Sequence, residues 1–356
     1  LFKADLTPAE TTALYEAGKI VDLKPYLAEY APNLSALLAA HPDWEKAITL
    51  PDGAIAALPA INELQNNNVM WINTTWLENL GLDMPTTADE LTEVLRAFKT
   101  GDPNKNGKND ETPLTFMGIW DLKYLAHAFG IVTNDYNVYV NDDGQVVTPL
   151  KTDEERAFLT WLKELWDEGL LDTSGFTTVD SFRKITDSSA AITYGVLLGT
   201  TPLNLVPSGA LSQYTLLMPM VYEGKQVYRQ LLDDVTRGTF AISADCADPA
   251  ALVRWVDTLY GEAGGMLAQA GLENVEYERN ADGTWCWIED ASTVSQTVLG
   301  QSTIVEGTAA PGLTSVEFQL QYDSSDTRKI LQDMQRLKAV SKLPCPLTYF
   351  TEETRT

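Results

Sequence analysis

Amphipathic helices with clear start signals alternate along this chain with short apolar runs. A Thr-x-x-Glu capping box at 87–90 precedes apolar residues at helical spacing, and a second box at 152–155 does the same. Asp248 followed by Pro249 predicts the N-terminus of a third helix. The sequence also predicts strands at 69–73, 114–117, 190–194 and 238–243, and hairpin turns at 141–144, 223–224 and 280–283. This alternation predicts an α/β fold.

The length of the chain predicts more than one domain. A chain of 356 residues exceeds the usual size of one hydrophobic core, so we expect two domains. The sequence contains 50 acidic and 25 basic residues, which gives a formal charge of −25. Such a surface repels phosphate backbones and anionic lipid headgroups, so binding to nucleic acid is not expected.

Residues that would carry catalysis or bind transition metals are sparse. The three cysteines, Cys246, Cys286 and Cys345, form no C-x-x-C pair, and the chain has only two histidines. The fragments S-x-x-K at 181–184 and K-T-G at 99–101 occur in the reverse of their order in serine β-lactamases. We therefore predict no catalytic residues, and a carbohydrate hydrolase remains a minor alternative.

The loop GDPNKNGKNDETP, at 101–113, concentrates oxygen-bearing side chains after the first predicted helix. Counting from Asp102, side-chain oxygens fall at positions 1, 3, 5 and 9, Gly107 occupies position 6, and Lys108 offers a main-chain carbonyl at position 7. This spacing matches the first half of a calcium-binding loop. Position 12 is proline rather than glutamate, although Glu111 at position 10 could close the site. A polar turn without a metal ion is the alternative.

The tryptophans have different sequence environments. Trp161 and Trp166 lie on or beside the apolar stripe of a predicted helix, so we interpret both as core residues. Trp120 instead follows a predicted strand and has Asp121 and Lys123 as neighbours, which is typical of a loop that opens onto a cleft. An aromatic face beside polar groups suits a sugar ring, whose C–H groups stack while its hydroxyls form hydrogen bonds. Core packing of Trp120 is the alternative.

Four stretches together resemble a known family of binding proteins. They lie at 50–63, 71–116, 237–264 and 271–285, and they include the motifs W-L-x-x-L-G-L and D-P-N-x-N-G-x-x-D-E. The chain resembles the extracellular solute-binding proteins, family 1, of bacterial ABC importers, the maltose-binding-like group, and most closely its Firmicutes branch, which also resembles the alginate-binding proteins.

The resemblance implies an α/β fold in two lobes, the periplasmic-binding-protein clamp (Venus flytrap, class II-like) with hinge crossovers. It assigns residues 1–114 and 237–300 to lobe 1 and residues 115–236 and 301–356 to lobe 2. The ligand cleft is expected between the lobes.

The resemblance also implies two sets of site residues. A structural Ca²⁺ would be held in the loop by Asp102, Asn104, Asn106, the carbonyl of Lys108, Asp110 and Glu111. The ligand-binding set would comprise Trp44, Glu63, Trp120, Tyr194 and Arg237. The tryptophans and the tyrosine would present aromatic faces to the ligand. Arg237 would donate charge-assisted hydrogen bonds to a pair of hydroxyls or to an acidic sugar.

The function implied by the resemblance is that of the solute-binding component of an ABC importer, which is not an enzyme. We expect it to act as a monomer that captures an oligosaccharide by hinge closure and delivers it to the permease subunits. We further expect an extracellular lipoprotein, anchored to the cell membrane, whose anchor and closing segments lie outside a sequence truncated at both ends. The alternative is the same fold binding a peptide or another charged solute.

Overall fold

The computed structural model describes residues 1–64, 67–177, 190–202, 205–230, 233–288 and 310–349. The α-helices are α1 (Pro8–Glu16), α2 (Lys24–Tyr30), α3 (Pro32–Ala40), α4 (Pro42–Ile48), α5 (Thr74–Leu80), α6 (Ala88–Thr100), α7 (Asp153–Asp167), α8 (Pro249–Asp257), α9 (Glu262–Ala270), α10 (Val316–Leu320) and α11 (Ser325–Lys338). Shorter 3₁₀ helices lie at Ile119–Phe129, Thr173–Phe176, Ser208–Gln213 and Thr258–Tyr260. The described helices include none with the length and hydrophobicity of a membrane span.

The strands are short, and several of them form two-stranded hairpins. They are β1 (Leu58–Asn62), β2 (Val69–Asn73), β3 (Thr112–Phe116), β4 (Tyr139–Val140), β5 (Val146–Val147), β6 (Tyr194–Gly199), β7 (Tyr214–Leu217), β8 (Val221–Tyr222), β9 (Lys225–Gln226), β10 (Tyr228–Arg229), β11 (Val235–Phe240), β12 (Tyr277–Arg279), β13 (Trp285–Trp287), β14 (Gly312–Thr314) and β15 (Ser341–Lys342).

The chain divides into two compact units, each built from separate stretches of sequence. Unit 1 draws on residues 1–65, 233–331 and 346–356, and unit 2 on residues 66–232 and 332–345, as far as these are described. The two-domain expectation from chain length therefore matches the division of the structure.

Unit 1 is organised around β1, which runs antiparallel to β11 and parallel to β14. Helices α2, α3, α4 and α8 cover this sheet with apolar side chains that form one buried cluster, including Leu27, Leu34, Trp44 and Val253. A second cluster of unit 1 is aromatic, and in it the rings of Trp285 and Phe318 stack with centroids 4.8 Å apart.

Unit 2 contains a four-stranded sheet with the order β3-β6-β2-β7. β2 is buried along its whole length because it lies between β6 and β7 and pairs antiparallel with both. β3 pairs parallel to β6. Helices α6 and α7 are joined by a buried hydrogen bond, in which the indole N–H of Trp161 donates to the hydroxyl of Thr92 at 2.8 Å.

The predicted helix starts are confirmed. The hydroxyl of Thr87 accepts the main-chain N–H of Glu90 at 3.2 Å, and the carboxylate of Asp248 accepts that of Ala251 at 3.0 Å. The Glu90 carboxylate accepts from the N–H of Thr86 rather than from that of Thr87. The three predicted hairpin turns are also confirmed, because they connect β4 to β5, β8 to β9 and β12 to β13.

Two sequence expectations about local structure are wrong. The strand expected at 190–194 begins only at Tyr194, because the apolar run that pairs with β2 and β3 is the one at 194–199. Trp166 is 47% exposed rather than buried, whereas Trp161 is in the core as predicted. The apolar face of α7 is therefore wider than the part of the helix that is buried against the rest of the protein.

The compact units divide the chain differently from the lobes assigned from the sequence. Residues 67–114 were assigned to the first lobe, but β2 and β3 lie in the sheet of unit 2. Residues 310–331 were assigned to the second lobe, but β14 pairs with β1 in unit 1. In both cases strand pairing, which the sequence pattern does not specify, determines the unit to which the segment belongs.

Candidate functional site

The acidic loop of unit 2 connects the end of α6 to the start of β3. Asp102, Lys105 and Gly107 have positive φ angles of 47°, 56° and 72°. This left-handed conformation is one that glycine adopts readily and that asparagine and aspartate tolerate better than most residues. The carboxylate of Asp102 accepts the main-chain N–H groups of Asn106 at 3.0 Å and Gly107 at 3.1 Å, so it lies inside the turn.

The other polar side chains of the loop point towards one another. The side-chain amide of Asn106 donates to Asp110 at 3.0 Å, and its carbonyl oxygen accepts the N–H of Lys108 at 2.7 Å. The amide of Asn104 donates to the main-chain carbonyl of Ile192 at 3.1 Å, which connects the loop to the segment just before β6. The loop therefore gathers the side chains of alternate residues at its centre.

Glu111 is the residue of this loop whose hydrogen bonding is incomplete. Both of its carboxylate oxygens are buried, and neither has a hydrogen-bond partner among the described residues. Burial, and secondarily the negative charges of Asp110 and Asp102, raise the pKa of Glu111 above its ordinary value. A buried carboxylate beside two others is costly unless a cation compensates it. The donor set consists of hard oxygens, so the residues present fit Ca²⁺.

The candidate calcium ligands of the acidic loop include asparagine and main-chain oxygens as well as carboxylates. In the part of the chain that the structure describes, no group of three or more His, Cys, Asp or Glu side chains is arranged to hold a metal ion. The amide groups of Asn104 and Asn106 turn their N–H donors, rather than their oxygens, towards Asp110. Rotating either side-chain amide by 180° would exchange the positions of its oxygen and nitrogen atoms. Which of the two orientations is assigned depends on the surrounding hydrogen bonds.

Three of the residues predicted to bind the ligand lie in unit 1, and each has an intramolecular contact. Trp44 is only 3% exposed and stacks on His41 with centroids 3.7 Å apart, so its ring belongs to the core rather than to an open surface. Glu63 accepts the main-chain N–H of Val316 at 3.0 Å. Arg237 donates to the carbonyl of Thr348 at 3.0 Å.

The other two predicted residues lie in unit 2, and they are adjacent to opposite ends of β3. Tyr194 opens β6 opposite Thr112, at the end of the sheet where the acidic loop enters. Trp120 follows the opposite end of β3, which at about 3.3 Å per residue is several strand residues away. Trp120 is 59% exposed, whereas Tyr194 is partly buried.

The surroundings of Trp120 contain polar residues that the sequence reading did not identify as functional. Asp121 is fully buried, and its carboxylate accepts the main-chain N–H groups of Met117 at 2.8 Å and Gly118 at 3.1 Å, and the side-chain amide of Asn68. The spacing of Gly118 and Asp121, three residues apart at the start of a helix, is the only local sequence signal of this arrangement.

Each unit contains at least one cavity that is lined by its own residues. One in unit 2 has a volume of about 520 Å³ and is lined by aromatic and charged side chains, among them Phe129, Tyr139, Tyr222, Glu154 and Lys225. One in unit 1 has a volume of about 200 Å³ and lies between α9 and α10. Neither cavity is lined by any of the five predicted ligand-binding residues.

No family model matches the chain. Among curated proteins, the chain is 39% identical over 170 residues to the fructooligosaccharide ABC transporter substrate-binding protein FusA of Streptococcus pneumoniae, a match that covers 45% of this chain and 32% of FusA. It is 36% identical over 176 residues to lipoprotein LipO of Bacillus subtilis, which covers 47% of this chain and 32% of LipO. The chain thus matches about a third of the length of these relatives.

Solved structures of the same group share the fold over nearly the whole chain. The structure of S. pneumoniae FusA in complex with kestose aligns over 99% of this chain and 75% of FusA, with a TM-score of 0.69 and 24% identity. An extracellular solute-binding protein of Bifidobacterium longum subsp. infantis aligns over 93% of this chain and 69% of its own, with a TM-score of 0.74 and 25% identity. A FusA EF-hand mutant in complex with fructo-nystose aligns with a TM-score of 0.68 and 23% identity.

These comparisons confirm the family resemblance and the fold predicted from the sequence. The similar proteins are substrate-binding components of transporters rather than enzymes. The chain is therefore similar in sequence to ABC-transporter substrate-binding proteins over about a third of their length, and it shares the α/β fold of their solved structures.

Proposed function

We propose that this protein captures an oligosaccharide outside the cytoplasmic membrane and delivers it to the permease subunits of an ABC importer. The observation that carries the proposal is the 39% identity over 170 residues to a fructooligosaccharide-binding protein. Support also comes from the fold, which aligns over 99% of the chain with that protein's kestose complex. Fructooligosaccharides such as kestose are therefore the first ligands to test.

Capture requires no chemistry on the sugar. In the proposed mechanism the solute contacts both lobes, so its binding energy favours the closed arrangement over the open one. The protein is then a receptor and not a hydrolase, it acts as a monomer, and it works as a lipoprotein at the outer face of the membrane.

Trp120 is the proposed stacking residue. Its indole is 59% exposed although it is one of the largest apolar side chains, and an exposed aromatic face is what a sugar ring requires. Glu63 and Arg237 are proposed to bind sugar hydroxyls, which they could reach by exchanging their contacts with Val316 and Thr348. Tyr194 and the buried Trp44 have less support, because one lies at the far end of β3 and the other in the core.

The acidic loop is proposed to hold a structural Ca²⁺. Its ligands would be Asp102, Asn104, Asn106, the Lys108 carbonyl, Asp110 and Glu111. Support comes from the two buried, unpartnered oxygens of Glu111 and from the EF-hand named in a structure of similar fold. When bound, the ion would neutralise the three carboxylates and fix the end of α6 relative to the start of β3.

A thermal-shift screen tests both proposals together. Kestose, nystose, other oligosaccharides, peptides and polyamines are added to the protein, in calcium and separately in EGTA. We expect a rise in melting temperature confined to one class of glycan, and a fall in EGTA. Stabilisation by peptides or polyamines alone would support the charged-solute alternative. Release of a product from any glycan would contradict a purely binding role.

A further inference from the structure

The indole of Trp120 is exposed, and its ring lies directly against the backbone of Gly118. A Cβ atom added to Gly118 would lie 2.7 Å from Cε2 of Trp120 and closer still to Cζ2 and Cη2. Non-bonded carbon atoms optimally lie about 3.5–4.0 Å apart, so the ring rests directly on the Cα of a glycine and could not do so on any other residue. The backbone of Gly118 is extended, with φ −162° and ψ 166°, so the glycine serves to admit the ring rather than to relieve the backbone.

The buried carboxylate of Asp121 stabilises the same turn through hydrogen bonds. Asp121, 0% exposed, accepts the N–H groups of Met117 and Gly118, which holds the peptide on which the ring lies. Hydrogen bonds to a charged acceptor are roughly twice as strong as those between neutral groups. The position of the Gly118 peptide, and with it the position of the indole, therefore depends on Asp121.

A third residue connects this carboxylate to another part of unit 2. The side-chain amide of Asn68 donates to the Asp121 carboxylate, and the main-chain carbonyl of Asn68 accepts the hydroxyl of Tyr228 at 2.6 Å. The neighbouring Asn67 is buried, and its side-chain amide donates to the carbonyl of Arg229 at 2.9 Å. Asn68 and Tyr228 lie just inside the two points at which the chain passes between the units, near 65–66 and 232–233.

We propose that Gly118, Asp121 and Asn68 are positioning residues that hold the indole of Trp120 in a fixed, solvent-facing orientation for stacking on a sugar ring. The inference rests on the proposed function, because it assigns to Trp120 the stacking role. Holding the ring before the sugar arrives removes the entropic cost of ordering this large side chain on binding. None of the three residues needs to contact the sugar.

Gly118→Ala tests the glycine, and the chain provides a matched control. Gly209 also lies in unit 2, its φ is not in the left-handed region, and a Cβ there meets no atom within 4 Å. Gly209→Ala is therefore expected to leave the Trp120 region unchanged. Asn68→Ala tests the amide, because it removes the donor to Asp121 and retains the main-chain carbonyl that Tyr228 uses.

The first measurement needs no sugar. The protein is labelled with 5-fluorotryptophan, and the ¹⁹F resonance of Trp120 is assigned by its loss in Trp120→Phe. We expect Gly118→Ala and Asn68→Ala to shift or broaden this resonance and to leave those of the buried tryptophans in place, whereas Gly209→Ala leaves all of them in place. An unchanged Trp120 resonance in both variants would overturn the inference, whether or not the protein binds sugar.

The second measurement separates positioning from general stability. Kestose affinity is measured by calorimetry for the wild type, Gly118→Ala, Trp120→Ala and the double variant. We expect Gly118→Ala to weaken binding about threefold to tenfold, and to have no further effect in the Trp120→Ala background. Equal losses in both backgrounds, or no loss from Gly118→Ala when Trp120→Ala weakens binding, would overturn the inference. Failure of the wild type to bind kestose or any other glycan contradicts the proposed function, and the ¹⁹F result then decides the positioning on its own.

Discussion

Asp257 caps helix α3 although 223 residues separate it from Leu34, whose main-chain N–H donates to its carboxylate at 2.9 Å. The second carboxylate oxygen accepts the main-chain N–H of Asn33 at 3.2 Å and its side-chain amide at 3.0 Å. The residue before α3 is Ala31, which has no side chain able to cap the helix. The last residue of α8 therefore supplies the cap that the local sequence of α3 lacks.

Replacing Asp257 by alanine should destabilise unit 1. Two buried or part-buried main-chain N–H groups would lose their acceptor, and we expect the free energy of unfolding to fall by about 2–4 kcal/mol. Urea unfolding followed by circular dichroism measures this loss, and hydrogen exchange at Asn33 and Leu34 should quicken. Asp248→Ala, which removes the exposed local cap of α8, is the matched control and should cost only about 1 kcal/mol. Equal losses in the two variants would contradict a special role for Asp257.

Replacing Thr92 by valine should cost about 1–3 kcal/mol, because it leaves the buried indole N–H of Trp161 without its acceptor. The Thr92 hydroxyl also donates to the carbonyl of Ala88, and the control must account for that bond. Thr160→Val does so, since the exposed hydroxyl of Thr160 makes the same bond four residues back, to Arg156, at 2.8 Å. The two variants are compared by thermal or urea unfolding, and the difference between their unfolding free energies gives the contribution of the hydrogen bond between Trp161 and Thr92. Equal unfolding free energies would show that this bond does not stabilise the protein.

Glu111→Gln should change the response of the protein to calcium. Burial and neighbouring charges raise the pKa of Glu111, so its ionised form is disfavoured in the folded state when no cation is bound. The glutamine should therefore raise the melting temperature in EGTA and abolish most of the stabilisation by calcium. If the wild type binds calcium as proposed, that stabilisation is expected to be about 2.7 kcal/mol at a calcium concentration one hundred times Kd. Asp143→Asn, in the exposed hairpin turn, is the control. It should change neither the melting temperature in EGTA nor the stabilisation by calcium. Stabilisation by calcium that persists in Glu111→Gln would exclude Glu111 as a ligand.

His127 should make unit 2 sensitive to acid. The side chain is 2% exposed, its Nδ1 lies 2.5 Å from the carbonyl of Tyr124, and within the described residues its Nε2 has no partner. Burial lowers the pKa of His127 to about 4, well below its ordinary value near 6.5. Between these two values the unfolded chain binds the proton and the folded chain does not, so stability is lost as the pH falls from 6.5 to 4.

The expected loss from this one group is about 3 kcal/mol over that interval, on the basis of 1.36 kcal/mol for each pH unit. His127→Phe cannot titrate, so the difference in unfolding free energy between wild type and variant should move in favour of the variant as the pH falls. Urea unfolding at pH 7, 5.5 and 4 measures this difference. His41→Phe provides a comparison at the chain's other histidine. A difference that does not vary with pH would show that His127 is not the acid-sensitive group.

Local features of this fold were predictable from the sequence, and long-range ones were not. The caps at Thr87, Thr152 and Asp248 and the three hairpin turns depend on residues close together in the chain, and the structure has them where the pattern indicates. The cap that Asp257 provides for α3 joins distant segments, so no local pattern indicates it. The unit to which β2 and β14 belong was missed for the same reason, because it is decided by their pairing partners.

The same distinction applies to the candidate site. The acidic loop is contiguous, so its converging side chains could be identified by spacing alone. The exposure of Trp120 was indicated by its polar neighbours. The burial of Trp44 and the distance between Trp120 and Tyr194 follow from helix packing and from strand direction in β3 and β6, which a single sequence does not encode locally.

The pairing of β1 has a consequence for synthesis. β1 ends at Asn62, yet its two neighbours in the sheet are strands at 235–240 and 312–314. During translation β1 therefore leaves the ribosome with both edges bare, and its main-chain groups remain bonded to water until most of the chain has been made. Such long sequence separations slow folding and leave apolar strands open to aggregation. We therefore expect the first strand of unit 1 to stay unpaired in the nascent chain until both of its distant partners have been made.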